Sequence, residues 1–341
     1  MSETQVPEGR SAASRRASFT EWHVAVERLN VETCEAAELA FGRGETAGVR
    51  EFLWDPMRTF VVTVFRGGLS QAVLEGYWKL ACAAKLWETE MRWRERHLES
   101  FEQGAVSGIV RREWRDSLEH LLGAEGTADR ISGGRGTARR ITTDQGTVIV
   151  RRYRRGGAMR WLGQSYFGFR SRPFREFRVL LRARRRGLPV PDAIAAVVER
   201  RFGPVYRGHL LMREIGGGVP ILDFLRSHPG LDVVPLLARG LREFHDAGLW
   251  HPDLNLGNVL VVARSYGASL AFVDLDRARL ADRPLGIAAR RRSLHRLRRS
   301  AAKLDPAGRL LGAPALGRLE EIYWRLEPAS GAHAEEPRGV G

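Results

Sequence analysis

Lysine is almost missing from this chain: Lys79, Lys85 and Lys303 are the three among 55 basic residues. From Lys85 to Lys303 no side chain can act as an ammonium point charge, so any chemistry there that needs a cation must use arginine or histidine. Cysteine is equally scarce. Cys34 and Cys82 stand alone, which excludes a disulfide framework and a cysteine-based zinc site and fits a reducing compartment. Long apolar runs are missing too. Phe60 to Phe65 is far short of the roughly 18 residues a membrane span needs, and Leu80 to Trp87 is broken by Lys85. The opening residues lack the apolar centre of a secretory signal. A soluble cytoplasmic protein is the expectation. With 341 residues and 43% hydrophobic content, one main domain with an appendage is expected. A net charge of +15 implies an anionic partner, nucleotide, glycolipid, membrane surface or nucleic acid, without choosing among them.

Composition divides the chain. Residues 1–20 are polar and aperiodic and read as disordered. Residues 21–114 hold six of the nine tryptophans and some helical periodicity but no motif, and stand as an extension of unassigned role. From residue 115 the pattern changes. A glycine-rich piece, Arg130-Ile-Ser-Gly-Gly-Arg-Gly136, leads into a hairpin whose turn is Asp144-Gln-Gly146 and whose second strand is Thr147-Val-Ile-Val-Arg-Arg-Tyr153. Ser171, with an early proline, predicts a helix start, and Phe177, Leu180 and Leu181 predict its apolar stripe. Two apolar runs, Ala193 to Val198 and His209 to Met212, predict paired strands ending at a connector that begins with Glu214. Leu237, Leu241 and Phe244 mark a helix face closed by Gly248. Residues 328–341 read as a disordered tail.

The chemistry sits just after that helix. His251-Pro-Asp253-Leu-Asn-Leu-Gly-Asn258 is followed by an apolar strand, and sixteen residues after Asn258 a second strand ends in Asp274-Leu-Asp276. Phosphoryl transfer needs a carboxylate beside the acceptor hydroxyl and two oxygen ligands that hold Mg²⁺ against the β- and γ-phosphates. Asp253 suits the first role. Asn258 and Asp274, at the ends of a hairpin formed by residues 259–262 and 270–273, suit the second. His251 and Asn255 complete the loop. Order and spacing carry this reading, because each motif alone also occurs in ordinary turns.

Upstream, Gly134 and Gly136 are candidates to cover phosphates. Val148-Ile-Val-Arg151 occupies the place where a kinase keeps the lysine that grips the α- and β-phosphates. With no lysine available, Arg151 is the candidate cation, on the same strand face as Ile149. Glu176 is its candidate partner on the following helix. Glu214 is counted with the nucleotide-binding residues.

These residues resemble a known family, the lipopolysaccharide kinases, and most closely the 3-deoxy-D-manno-octulosonic acid (Kdo) kinases. The similarity rests on Gly134-Arg-Gly136, Val150-Arg-Arg-Tyr-Arg-Arg-Gly-Gly157, Phe174-Arg-Glu-Phe177, Gly187-Leu-Pro-Val-Pro191, the His251 to Asn258 loop, Val273-Asp-Leu-Asp-Arg277 and Leu294-His-Arg-Leu-Arg-Arg-Ser300. It covers residues 115 to 310, about half the chain. The resemblance implies an α+β, protein-kinase-like bilobal fold, with a β-rich N-lobe over 115–213 and a helical C-lobe over 214–327. It implies ATP and Mg²⁺, a lipid A-linked core sugar as acceptor, and peripheral association with the inner membrane on its cytoplasmic side, with no nucleic acid expected. Arg151–Arg155, Arg182–Arg186 and Arg290–Arg299 then become candidates for holding anionic headgroups or the acidic substrate. Pro252 in place of the usual arginine speaks against control by a phosphorylated loop. Two alternatives stay open: a small-molecule phosphotransferase of the aminoglycoside or choline type, and a basic pseudokinase or binding protein.

Overall fold

The computed structural model describes residues 31–47, 50–67, 69–123, 129–131, 137–153, 166–167, 171–202, 205–264 and 267–326. The expected disordered ends, 1–20 and 328–341, lie outside them. The chain divides into two compact units, Met1–Arg92 and Trp93–Gly341.

In the first unit, α1 (residues 31–42) is followed by a π-helical turn, Arg50–Trp54, by α2 (Asp55–Gly67), and by α3 (Leu69–His97), which begins in this unit and ends past Arg92. Ala37, Ala40 and Leu86 form a small core. The Thr63 hydroxyl donates to Glu75 at 2.6 Å. No helix among the described residues is long and apolar enough to cross a membrane.

The second unit opens with a large antiparallel sheet. Its strands are β1 (Leu98–Gln103), β2 (Val106–Arg111), β3 (Asp129–Ile131), β4 (Thr137–Thr143), β5 (Gly146–Arg152), β6 (Tyr166–Phe167), β7 (Ala193–Phe202) and β8 (Val205–Arg213). They run in the order β1-β2-β7-β8-β5-β4-β3, with β6 pairing β8. The sheet therefore begins at Leu98, inside the stretch assigned by sequence to the extension. Ile109 of β2 pairs with Ala196 of β7, a long-range partner that alternation in so polar a segment does not announce. The β4–β5 hairpin and the β7–β8 pair fall where apolar runs and turn residues predict them.

Each face of the sheet meets a different core. Val148 and Val150 join Trp114, Leu118, Ile194 and Leu211 on one side. Ile149 packs on the other, against the main core shared with α5 (Arg172–Arg185). Strand alternation thus sends Arg151 to the Ile149 side. Helix α5 approaches β8 so closely that a Cβ at Gly208 would lie 2.5 Å from Pro173, so only glycine fits there. Ser171 is the N-cap residue of α5 but makes no side-chain cap bond; the Tyr206 hydroxyl accepts instead from the Arg172 N–H at 3.0 Å.

The remaining elements are mostly helical: β9 (Gly218–Pro220), α6 (Ile221–Ser227), α7 (Val234–Asp246), β10 (Leu249–Trp250), β11 (Val259–Arg264), β12 (Gly267–Phe272), β13 (Arg279–Leu280), α8 (Ile287–Leu304) and α9 (Ala313–Arg325). Val234, Leu237, Leu241 and Phe244 give α7 its buried face. Gly248 ends it at φ +82°, where a side chain would strike the Ala281 carbonyl. A β-rich lobe followed by a helical lobe is the α+β, protein-kinase-like bilobal arrangement expected from sequence.

One buried titratable group makes this lobe sensitive to acid. His245 is enclosed by Tyr323, Arg290, Asp246 and Arg242. Burial, reinforced by Arg290, pulls its imidazole down to about 3 from the ordinary 6.5. Kept neutral, it accepts at Nδ1 from the Tyr323 hydroxyl at 2.7 Å, while that hydroxyl accepts from Arg290 at 3.2 Å. Between these two values the unfolded chain binds a proton that the folded chain refuses. This contribution is therefore complete above about pH 6.5 and is lost as pH falls toward 3. Urea unfolding at pH 7.0 and 4.5 is expected to show an acid loss larger in the wild type than in His245→Gln by about 2–3 kcal/mol, at 1.36 kcal/mol per unit. Equal losses contradict the assignment.

Candidate active site

Arg151 lies where β5 faces α5. Its guanidinium donates to Glu176 Oε1 at 3.0 Å and reaches Asp274 Oδ1 at 2.7 Å. A planar fork can serve two carboxylates at once, which an ammonium does less directionally. Glu176 is almost fully buried, and its second oxygen accepts from the Tyr153 hydroxyl. Burial pushes the Glu176 carboxyl up, and Arg151 pulls against it. Burial also acts to lower Arg151, but Glu176 and Asp274 outweigh it and move its pKa above the ordinary arginine value. Tyr153 is pushed up by burial and keeps its proton. The cation is thus held charged between α5 and the end of the second hairpin.

That hairpin is β11–β12, with Val259 opposite Phe272. A 3-10 turn, Leu256–Asn258, precedes it. The Asn258 N–H donates to the Asn255 carbonyl at 3.1 Å, and its own carbonyl accepts from the Val273 N–H at 2.9 Å. Asn258 and Asp274 are therefore adjacent to the same end of the hairpin, as alternation and spacing predict.

His251 ties the two loops together. The Asp253 N–H donates to its Nδ1 at 3.0 Å, and Nε2 lies 2.6 Å from the Asp274 carbonyl. A backbone N–H can only donate, so Nδ1 must be the acceptor and Nε2 carries the proton. Burial lowers the His251 pKa and favours this neutral form. Asn255 Nδ2 donates to the Asp253 carbonyl at 3.1 Å, and the Leu256 N–H donates to Ser300 Oγ on α8 at 3.0 Å. These bonds use the backbone of residue 253. Its carboxylate stays free to face solvent, 64% exposed, with Arg296 at 4.0 Å.

The Asp274 backbone is in the left-handed region, φ +60°, as is Arg277 at φ +65°. An L-residue with a side chain adopts that conformation at a cost of about 1–3 kcal/mol when the surroundings fix it. Here they do. Asp276 accepts from Arg172 Nε at 3.0 Å and forms a second contact with its Nη2, so the loop after Asp274 is clamped to the first turn of α5. Arg172 and Arg151 both lie over the Tyr153 ring, at 5.4 and 5.0 Å.

Neither the Tyr153 contact with Glu176 nor the Arg172–Asp276 pair follows from the sequence alone. Tyr153 and Asp276 sit inside motifs quoted above and Arg172 does not, and a partner on another element leaves no local trace. Gly134 and Gly136 lie outside the described residues. Glu214 pairs with Arg140, and its N–H donates to the Thr147 carbonyl at 2.8 Å, so its side chain is committed to the edge of the β-lobe. Arg182 and Arg186 both pair with Asp282 at 2.7 Å, and Arg186 also donates to the Ala247 carbonyl. Those two arginines stitch α5 to the helical lobe. Arg290 is buried against Asp246 at 2.6 Å.

Comparison with known proteins points to one family. The sequence model of the lipopolysaccharide kinase (Kdo/WaaP) family matches residues 119–311. A 3-deoxy-D-manno-octulosonic acid kinase of Xylella fastidiosa (strain 9a5c) is 35% identical over 160 residues, 46% of this chain and 62% of that one. The kinase of that name from Stenotrophomonas maltophilia (strain K279a) is 37% identical over 189 residues, 53% of this chain and 70% of its own. Among solved structures, WaaP in complex with acyl carrier protein aligns with a TM-score of 0.42 at 20% identity, over 63% of this chain and 86% of that one. The match thus spans a little under two thirds of the Xylella protein. With more than half of its residues matched by the family model, this chain belongs to the lipopolysaccharide kinase (Kdo/WaaP) family.

Proposed function

We propose that this protein is an ATP-dependent phosphotransferase that phosphorylates a hydroxyl of Kdo, or of a related sugar, in the lipid A-linked inner core of lipopolysaccharide. The observation that carries the reading is the bridge made by Arg151 between Glu176 and Asp274, joined through His251 to the loop that presents Asp253. It supports assigning Arg151 to gripping phosphate, Asp274 to holding the metal and Asp253 to acting as the base. A degenerate kinase that only binds has no need of all three.

The donor set fits magnesium: Asn258 would offer a carboxamide oxygen and Asp274 a carboxylate oxygen, both hard ligands of the kind this ion takes. When bound, the metal neutralises charge on the β- and γ-phosphates. Arg151, fixed by Glu176, grips phosphate oxygens with a fork suited to them. Asp253 orients the acceptor hydroxyl and takes its proton as the hydroxyl oxygen bonds to the γ-phosphorus and the bond to ADP breaks. His251 sets the distance between the backbones of residues 253 and 274 and stays out of proton transfer, since both its nitrogens are engaged. Gly134 and Gly136 are assigned to covering the phosphates. The acceptor is met at the cytoplasmic face of the inner membrane, which the protein visits peripherally.

Mass spectrometry of Kdo-bearing lipid A after incubation with ATP, Mg²⁺ and the protein tests this. A gain of one phosphate on the Kdo-containing part is expected. No gain on any Kdo-bearing acceptor, with transfer to an aminoglycoside or choline instead, contradicts the substrate assignment.

A further inference from the structure

The basic residues of α8 have different fates. Arg290 is buried against Asp246, and Arg298 pairs with Glu320 at 3.1 Å. Ser293, Leu294, Leu297 and Ala301 pack into the core. What remains is a stripe. Arg292, Arg296, Arg299 and Lys303 stand at i, i+4, i+7 and i+11, so they share one face of the helix. All four are exposed. At 1.5 Å per residue they span about 16 Å.

This face adjoins the catalytic loop. Arg296 lies 4.0 Å from Asp253 Oδ1, and Ser300, one turn further on, holds the Leu256 N–H. Asp253 is the acidic side chain within ion-pair distance of the stripe among the described residues, and its contact is at the limit of that distance. Four cations of one sign in a row, open to solvent and beside the base, repel one another unless an anion lies along them. A single phosphate covers one or two of them. A row of this length suits a ligand with several anionic groups.

We infer that Arg292, Arg296, Arg299 and Lys303 form the acceptor-docking site and bind carboxylate and phosphate groups of an acidic sugar chain, setting its hydroxyl against Asp253. The inference rests on the functional reading above and deepens it. It separates acceptor recognition, on α8, from nucleotide binding, at Arg151 and Glu176. The single lysine of the whole second unit belongs to this row.

The test uses the full chain and a deacylated, Kdo-containing core oligosaccharide free of detergent, beside the same acceptor in its acylated form on anionic vesicles. The triple variant Arg292→Gln, Arg299→Gln, Lys303→Gln leaves Arg296 and Asp253 in place. Its KM for the deacylated acceptor is expected to rise tenfold or more, with kcat and the KM for ATP within about threefold of wild type. Arg291→Gln, exposed but off the stripe, is expected to leave all three constants unchanged. A triple variant with an unaltered acceptor KM overturns the inference. So does an equal rise in Arg291→Gln, which marks a general field effect. A rise seen on vesicles alone assigns the stripe to the bilayer surface and also overturns it. If the wild-type protein adds no phosphate to this acceptor, the functional reading itself has failed and the docking site falls with it.

Discussion

Asp253→Asn is expected to lower kcat by about 10²- to 10⁴-fold, the usual worth of a positioned general base, while the KM for ATP and the unfolding midpoint barely move. The separation follows from how residue 253 is held. Its N–H donates to His251 and its carbonyl accepts from Asn255, and asparagine keeps both backbone bonds. The side chain is 64% exposed with one ion-pair contact among the described residues, at 4.0 Å, so neutralising it removes little stability, within about 0.5 kcal/mol as for most surface changes. The carboxamide can still accept a hydrogen bond from the acceptor hydroxyl but cannot take its proton. Steady-state kinetics with a urea melt of each protein checks both halves. A variant that unfolds more readily, or that keeps wild-type turnover, contradicts the role.

Arg151→Met is expected to do the opposite, costing stability and nucleotide affinity together. Methionine matches much of the arginine stem but leaves buried Glu176 without its hydrogen-bonded cation, with Arg172 as a weaker charge nearby. Removing one partner of a buried ion pair typically costs about 3–5 kcal/mol. The Tyr153 hydroxyl remains on the other Glu176 oxygen, which compensates a hydrogen bond but no charge. Adding Glu176→Gln removes the stranded carboxylate, so the double variant is expected to recover most of the lost stability. Nucleotide binding is not expected to return, because no other described cation bridges α5 and Asp274. Urea unfolding and ATP titration of the two variants decide it. Recovery of both properties, or of neither, contradicts the assignment of Arg151 to phosphate.

The catalytic loop and its hairpin were legible because their information is local. Alternating apolar residues fix β11 and β12, and a hairpin brings its ends together, so Asn258 and Asp274 follow from counting. Arg151 was half legible: alternation put it with Ile149, but only the two cores on either side of the sheet decide which face looks toward α5. The pairs that join distant elements were not legible. Arg172 with Asp276, Tyr153 with Glu176, and Arg182 and Arg186 with Asp282 depend on how closely α5 approaches β8 and the helical lobe. That approach depends in turn on a missing side chain at Gly208. The charge runs illustrate the same limit. As sequence they look alike, yet Arg186 is internal mortar, Arg290 is buried, and Arg292 to Lys303 form an open row.

The most direct measurement is a crystal structure of the protein with a non-hydrolysable ATP analogue and Mg²⁺. The account predicts one metal ion bound by Asn258 Oδ1 and an Asp274 oxygen at about 2.0–2.1 Å, Arg151 on the phosphates, and Asp253 on the open side of the γ-phosphate. A metal held elsewhere, or an Asp253 carboxylate turned away from that phosphate, would contradict it.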